Sequence, residues 1–182
     1  ALSGTATVSD QETNYWGADK AIDGIVNRDA AKADQSRWAT NQSTSQAART
    51  LTVNLGTQKT FDHFVIEWER TNITNFKISV CDTEDGEYRD VYVKNDGENI
   101  TSVTSDIQLD EAVTAQYVKL TVNGYTVNPG SWQSVSLYEF EILGEAENLS
   151  TAATATADGS ETTGTDASKA AGQVRRQQDH TG

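Results

Sequence analysis

An all-β fold, a sandwich of two antiparallel sheets, is what this 182-residue sequence predicts. Short segments of alternating apolar and polar residues recur between residues 51 and 143, and turn-forming residues separate them. No window of twelve residues carries the i, i+3, i+4 apolar stripe of an amphipathic helix. At least seven short strands at this spacing fill two packed sheets more readily than any helical architecture.

The elements follow in order. Leu51-Thr52-Val53-Asn54-Leu55 alternates with period two, and Gly56 is expected to end it. Phe64-Val65-Ile66-Glu67-Trp68 and Phe76-Lys77-Ile78-Ser79-Val80 are the next two strands. Asp85-Gly86 marks a turn before a strand at 88–93, and Asp96-Gly97 another after it. Strands at 107–109, 117–122 and 137–143 complete the set. The first fifty residues are polar and loop-rich, and hold two of the four tryptophans, Trp16 and Trp38.

Composition changes near Gly144. Residues 146–182 contain 8 Ala, 7 Thr, 3 Ser and 4 Gly, 22 of 37 positions, with no aromatic residue. Such a stretch has too little apolar surface to offset the entropy of ordering it. The expected organisation is a β-sandwich module over 1–145, then an Ala/Thr/Ser-rich linker, tail or truncated start of a second module over 146–182. The second-module alternative rests on an echo: Leu2-Ser3, Thr5-Ala6-Thr7 and Lys20-Ala21 reappear as Leu149-Ser150, Thr154-Ala155-Thr156 and Lys169-Ala170.

Charge and composition exclude several functions. Fourteen Lys+Arg against 27 Asp+Glu give a net charge of −13, of which −11 lies in residues 1–145. That charge repels phosphate backbones and anionic lipid, which argues against nucleic-acid binding and membrane attachment. No segment approaches the roughly 20 apolar residues of a membrane span, so a soluble chain is expected. One cysteine, Cys81, leaves no internal disulfide and no multi-cysteine metal cage, and two histidines, His63 and His180, leave no three-histidine site. Glu67 and Glu69 share one strand face at a spacing a glycosidase could use, but no deep pocket is signalled around them. His63 reads as a structural strand residue, and Cys81 as a small buried hydrophobe at a strand end. The expectation is a chain that is not an enzyme.

Four segments, in order and spacing, resemble the discoidin fold of the bacterial carbohydrate-binding module family 32, which is related to the coagulation factor V/VIII C domains. They are Lys20-Ala21-Ile22-Asp23-Gly24, Ser36-Arg37-Trp38, Leu51-Thr52-Val53-Asn54-Leu55-Gly56 and Ser136-Leu137-Tyr138-Glu139-Phe140-Glu141-Ile142. The resemblance covers about 1–144 and implies an antiparallel jelly-roll sandwich, usually appended to a secreted bacterial glycoside hydrolase. Two features depart from the family pattern: a longer run from Asp23 to Trp38, and Ala39 where galactose binders often carry histidine.

The resemblance also implies site residues. A structural calcium would be held by the carboxylates of Asp23 and Glu139, with oxygens of Lys20, Ile25 and Ser36. Sugar recognition needs an aromatic face for the C–H side of a ring and planar groups for its hydroxyls. Trp132, in Asn128-Pro129-Gly130-Ser131-Trp132-Gln133, is the expected stacking residue, with Trp16 a second candidate. Trp38 and Trp68 are expected in the core. Arg70 offers a planar fork, and galactose-binding relatives place an Arg and an Asn on this connection, which implies Arg70 and Asn75. Glu69 and Asn72 are further candidates. The functional expectation is a secreted or cell-surface, calcium-stabilised module. It would bind terminal sugars of host-type glycans (galactose, N-acetylgalactosamine or lactosamine) and target an attached hydrolase, as a monomeric unit of a multimodular protein. The alternative is a discoidin-type adhesion or protein-interaction module.

Overall fold

The computed structural model describes residues 4–42, 47–126 and 133–144. The chain divides into two units, Ala1–Glu145 and Ala146–Gly182, and the account below concerns the first.

Seven antiparallel strands form one hydrogen-bonded sheet: β1 (Thr5–Val8), β2 (Trp38–Ala39), β3 (Arg49–Trp68), β4 (Ile73–Cys81), β5 (Arg89–Lys94), β6 (Thr104–Tyr125) and β7 (Ser136–Leu143). Two of them are long enough to serve both layers of a sandwich. β3 has 20 residues and β6 has 22, and they pair from Arg49↔Val122 to Glu67↔Thr104. Register shifts between Asn54 and Lys59, and between Phe61 and His63, bend this ribbon. Gly56 supplies the left-handed backbone, φ +83°, that the first irregularity needs.

On one side of the bend, residues 49–54 of β3 lie between β1 and the second half of β6, and β4 and β5 extend that layer. On the other side, residues 63–68 lie between the first half of β6 and β7, and β2 extends that layer. Leu51, Val53, Ile78, Val80, Val118 and Leu120 fill the core from the first layer, and Phe64, Ile66, Trp68, Ile107 and Phe140 from the second. Trp68 bridges the layers: its ring meets the edge of Phe76 at 5.4 Å, and its Nε1–H donates to Ser105 Oγ at 2.9 Å.

The strands expected separately at 51–55 and 64–68 are thus two halves of β3, and those at 107–109 and 117–122 two halves of β6. Residues 56–60 and 110–112 between them are exposed and carry no alternation, so pattern alone could not join the halves. The polar first fifty residues contribute β1, β2 and three short 3-10 turns at Asn14–Trp16, Ala18–Ala21 and Lys32–Asp34. The turn at Ala18–Ala21 packs against β1, β2 and β7, placing Ala18, Ala21 and Ile22 in the core cluster. Trp38 and Trp68 are both fully buried, and Trp38 Nε1–H donates to Asp10 O at 2.9 Å. His63 pairs with Asp106 at 2.7 Å across β3 and β6. Cys81 is half-buried rather than enclosed, its thiol beside the turn at Gly86.

Replacing Trp68 by Ala removes the cross-layer contact and leaves a large void. Chemical denaturation of this variant is expected to show a loss of about 3–5 kcal/mol, as for other buried aromatic truncations.

Candidate functional site

Two arginines organise the loops over the layer that contains β7. Arg28 Nη2 pairs with Glu67 Oε2 at 2.7 Å, its Nη1 donates to the Trp68 carbonyl at 2.5 Å, and its guanidinium lies 4.7 Å from the Tyr138 ring centroid. Arg37, 2% exposed, reaches Glu69 Oε2 at 3.3 Å and Ser136 Oγ at 3.0 Å. The Arg37 guanidinium stacks on Trp16, 4.0 Å from the ring centroid. Its Nε and Nη2, and Trp16 Nε1, are buried and make no hydrogen bond. A charge this deep is held by one carboxylate and one aromatic face, so each partner matters to its placement.

Around this ladder the structure gathers three of the expected sugar-binding residues. Glu69, Arg70 and Asn72 line a shallow hollow with Ser134 and Ser136. Arg70 stands partly free there, 3.9 Å from Glu69. Asn72 is buried, and its carboxamide donates to Thr126 O at 3.2 Å and to Ser134 O at 3.1 Å. It therefore ties together the two ends of the segment that carries Trp132; Trp132 itself lies outside the described residues. Trp16 joins the group through Arg37. Asn75 sits apart: its Oδ1 accepts from Gly97 N at 2.9 Å, where β4 closes on Gly124. A Cβ on Gly124 would lie 2.5 Å from Thr74 Oγ1, so glycine permits that approach.

Sequence reasoning passed over Arg37 and Tyr15. Arg37 stood inside Ser36-Arg37-Trp38, and a charged residue beside a core tryptophan was the available signal. Tyr15, on the same turn as Trp16, is 79% exposed, the most exposed large apolar side chain among the described residues. Glu67 and Glu69 are each taken up by an arginine, so this pair is built as two ion pairs.

Three of the expected cation ligands, Asp23, Ser36 and Glu139, come together around Gly24. Register sets Glu139 of β7 opposite Glu67 of β3, two like charges face to face. Arg28 answers Glu67. Glu139, 2% exposed, accepts one hydrogen bond, from Gly24 N at 2.9 Å. Burial first, opposed by that hydrogen bond, and then the nearby Asp23 and Glu141 charges push its carboxyl up to about 7. Asp23 accepts from Ile25 N at 3.0 Å and from the Ser36 hydroxyl, closing the loop between them. Asn27 Oδ1 accepts from Ser36 N at 2.8 Å, and Gln35 Nε2 donates to the Arg28 carbonyl at 2.9 Å. Lys20 lies in the turn packed on β7, and Ile25 is half-exposed at the loop's crest. No group of three or more His, Cys, Asp or Glu side chains converges among the described residues. Two carboxylates with main-chain and hydroxyl oxygens are nonetheless a donor set that suits a hard, oxygen-seeking cation.

A model of the F5/8 type C domain matches residues 5–139. The chain belongs to the F5/8 type C domain family. No curated protein matches it. Among solved structures, this F5/8 type C domain is similar to chitosan-binding module 1 of a chitosanase/glucanase from Paenibacillus sp. IK-5. The identity is 27% and the TM-score 0.63, over 79% of this chain and 97% of that one. Module 2 of the same enzyme, solved with chitotriose, is 24% identical at a TM-score of 0.63, over 79% and 98%. The family 32 carbohydrate-binding module of C. perfringens NanJ, solved with galactose, is 21% identical at 0.58, over 77% and 93%.

The raised Glu139 carboxyl gives a signed prediction. A folded-state value of about 7 against 4.5 for the free group means the folded domain binds that proton more tightly. The contribution is complete below about pH 4.5 and is lost as pH rises through 7. In chelator, the parent domain should therefore lose up to about 3 kcal/mol relative to Glu139→Gln between pH 4.5 and pH 8. Parallel stability curves for the two proteins would contradict this.

Proposed function

We propose that this domain is a non-catalytic carbohydrate-binding module that takes the end of a glycan on the loop face around Arg70. The observation that carries the reading is the convergence of Glu69, Arg70 and Asn72 at one hollow, backed by the Arg37–Trp16 stack that holds Glu69 and Ser136 from behind, in a chain of the F5/8 type C family. Arg70 supplies a fork for vicinal hydroxyls, the exposed ring of Tyr15 is available for stacking, and Trp132 is the stacking residue that the family resemblance nominates. A calcium ion at Asp23 and Glu139, with oxygens of Lys20, Ile25 and Ser36, would neutralise the buried carboxylate and pin the loop on which Arg28 rides. The module would be secreted and keep an attached glycoside hydrolase near its substrate by raising effective concentration.

The preferred sugars are galactose-type ends of host glycans. Glucosamine oligomers are the second reading. It is favoured by the net charge of −13, which attracts cationic amino sugars, and by the likeness to a chitosan-binding module at 27% identity.

A glycan array in calcium buffer, carrying both ligand classes, tests this. Arg70→Ala, a change at a partly exposed position, should keep the fold and weaken binding roughly ten- to hundredfold, the usual worth of hydrogen bonds to a charged group. Trp132→Ala should act likewise. A blank array from folded protein would move the assignment to a discoidin-type adhesion module. For the cation, Asp23→Ala should lower the melting temperature and remove the stabilisation by added calcium. Identical melting of the parent in calcium and in chelator would dismiss the ion.

A further inference from the structure

A second hollow bounded by described residues lies away from the loop face. A cavity of about 420 Å³ opens between β5 and the first half of β6. These strands are the outermost members of their layers on that side, and the connection at residues 95–103 closes one end. The cavity is apolar inside, where Phe76, Ile100 and Ile107 face it, and Tyr92 forms a wall, its ring 5.6 Å from that of Phe76. Its rim is polar and acidic: Asp96, Glu98 and Asp106 against the one ammonium of Lys94.

The closing connection is held by the start of β4. Ile100 N donates to Ile73 O at 2.9 Å, Gly97 N to Asn75 Oδ1 at 2.9 Å, and Lys94 Nζ to Thr74 O at 2.8 Å. Lys94 also binds Asp96 Oδ1 at 2.5 Å and the Glu98 carbonyl at 2.6 Å, so its charge is spent within the loop. The wall is thus preformed, and what it presents outward is carboxylate and hydroxyl. A volume of this size, one aromatic wall and a few convergent polar groups are the attributes of a small-ligand site.

We propose that this cavity is a second saccharide site, for a glucosamine oligosaccharide whose ring stacks on Tyr92 and whose ammonium groups meet Asp96 and Glu98. The apolar face of a pyranose matches the Tyr92 wall; Lys94 engages Asp96 through Oδ1 and His63 engages Asp106, and Glu98 beside them adds a local negative excess that favours a cation over a neutral or acidic sugar. An added peptide strand suits the place less well, because β5 carries Arg89, Asp90 and Lys94 along its edge. The site is separate from the loop face, and each can fail without the other.

Titration calorimetry of the full chain with chitotriose at low salt tests it, with amide chemical shifts as the locator. The expected result is shift changes at Tyr92 and Ile107 that survive Arg70→Ala. Tyr92→Ala should abolish them, and Glu98→Gln, an exposed change that leaves packing intact, should weaken binding here about fivefold through loss of a charge-assisted contact. N-acetylated chitotriose should bind more weakly, and added salt should weaken the unacetylated trimer. If chitotriose leaves the Tyr92 and Ile107 amides unmoved, or if Glu98→Gln and the parent titrate alike, the second site is refuted. If instead only Arg70→Ala is without effect, the loop-face reading fails and this one stands.

Discussion

The antiparallel pairing of β3 with β6 is the constraint on which the rest of this domain depends. Two strands of 20 and 22 residues stay hydrogen-bonded through a bend, so both layers of the sandwich are built on the same ribbon. Every other strand adds to one half of it. The bend also fixes which side chains meet: Trp68 from one half reaches Phe76 beside the other, and the core closes between them. Because sheet periodicity is two, a slip of one residue in this ribbon would exchange the inner and outer faces of both layers at once. The register shifts near Gly56 and Asp62 are therefore what allows one pairing to serve two planes.

The polar face over β7 follows from that register. It places Glu67 opposite Glu139, and the N-terminal loops resolve the conflict in two different ways. Arg28 neutralises Glu67 with a short ion pair. Glu139 receives one main-chain N–H and is buried beside Asp23, which is why its carboxyl is pushed up to about 7. A proton would neutralise Glu139 alone, whereas a divalent cation would balance Glu139 and Asp23 together. A cation would also gather the loop oxygens around it, and hence order the segment that delivers Arg28 and, beyond it, Arg37.

Much of this was legible in the sequence, and the exceptions have physical causes. Alternation marked the buried halves of β3 and β6 because each half has one wet and one dry face. It could not mark residues 56–60, where both faces are wet, so one strand read as two. Asp23, Ser36 and Glu139 were grouped by the family resemblance, and the structure sets Ser36 Oγ on Asp23 and Gly24 N on Glu139. Arg70 and Asn75 were paired by the resemblance to galactose-binding relatives. In three dimensions the five-residue separation spans the turn from loop into strand β4, and the two side chains leave it toward different loops. Arg37 escaped notice because a buried arginine looks in sequence like any surface arginine. Its place beside Trp38 was a faint signal, and the facing Glu69, 32 residues on, is what identifies it.

The connection from Glu69 to Asn75 touches both candidate sites, which bears on how they would work together. Glu69, Arg70 and Asn72 line the loop-face hollow, while Ile73, Thr74 and Asn75 anchor the wall of the lateral cavity. Contact alone does not couple two sites; coupling needs an element with two arrangements that each ligand biases. This segment is fixed at both ends, by Glu69 N on Ser136 O at 3.0 Å and by Thr126 N on Asn72 O at 2.8 Å, and Ile73 already lies within β4. A segment so tied has little room for a second state. Two sugar sites braced by it would act independently, and their benefit to a long polymer would come from avidity: the second contact forms at the high local concentration set by the first. Weak, shallow sites suit that arrangement, because each can release and rebind while the other holds the chain.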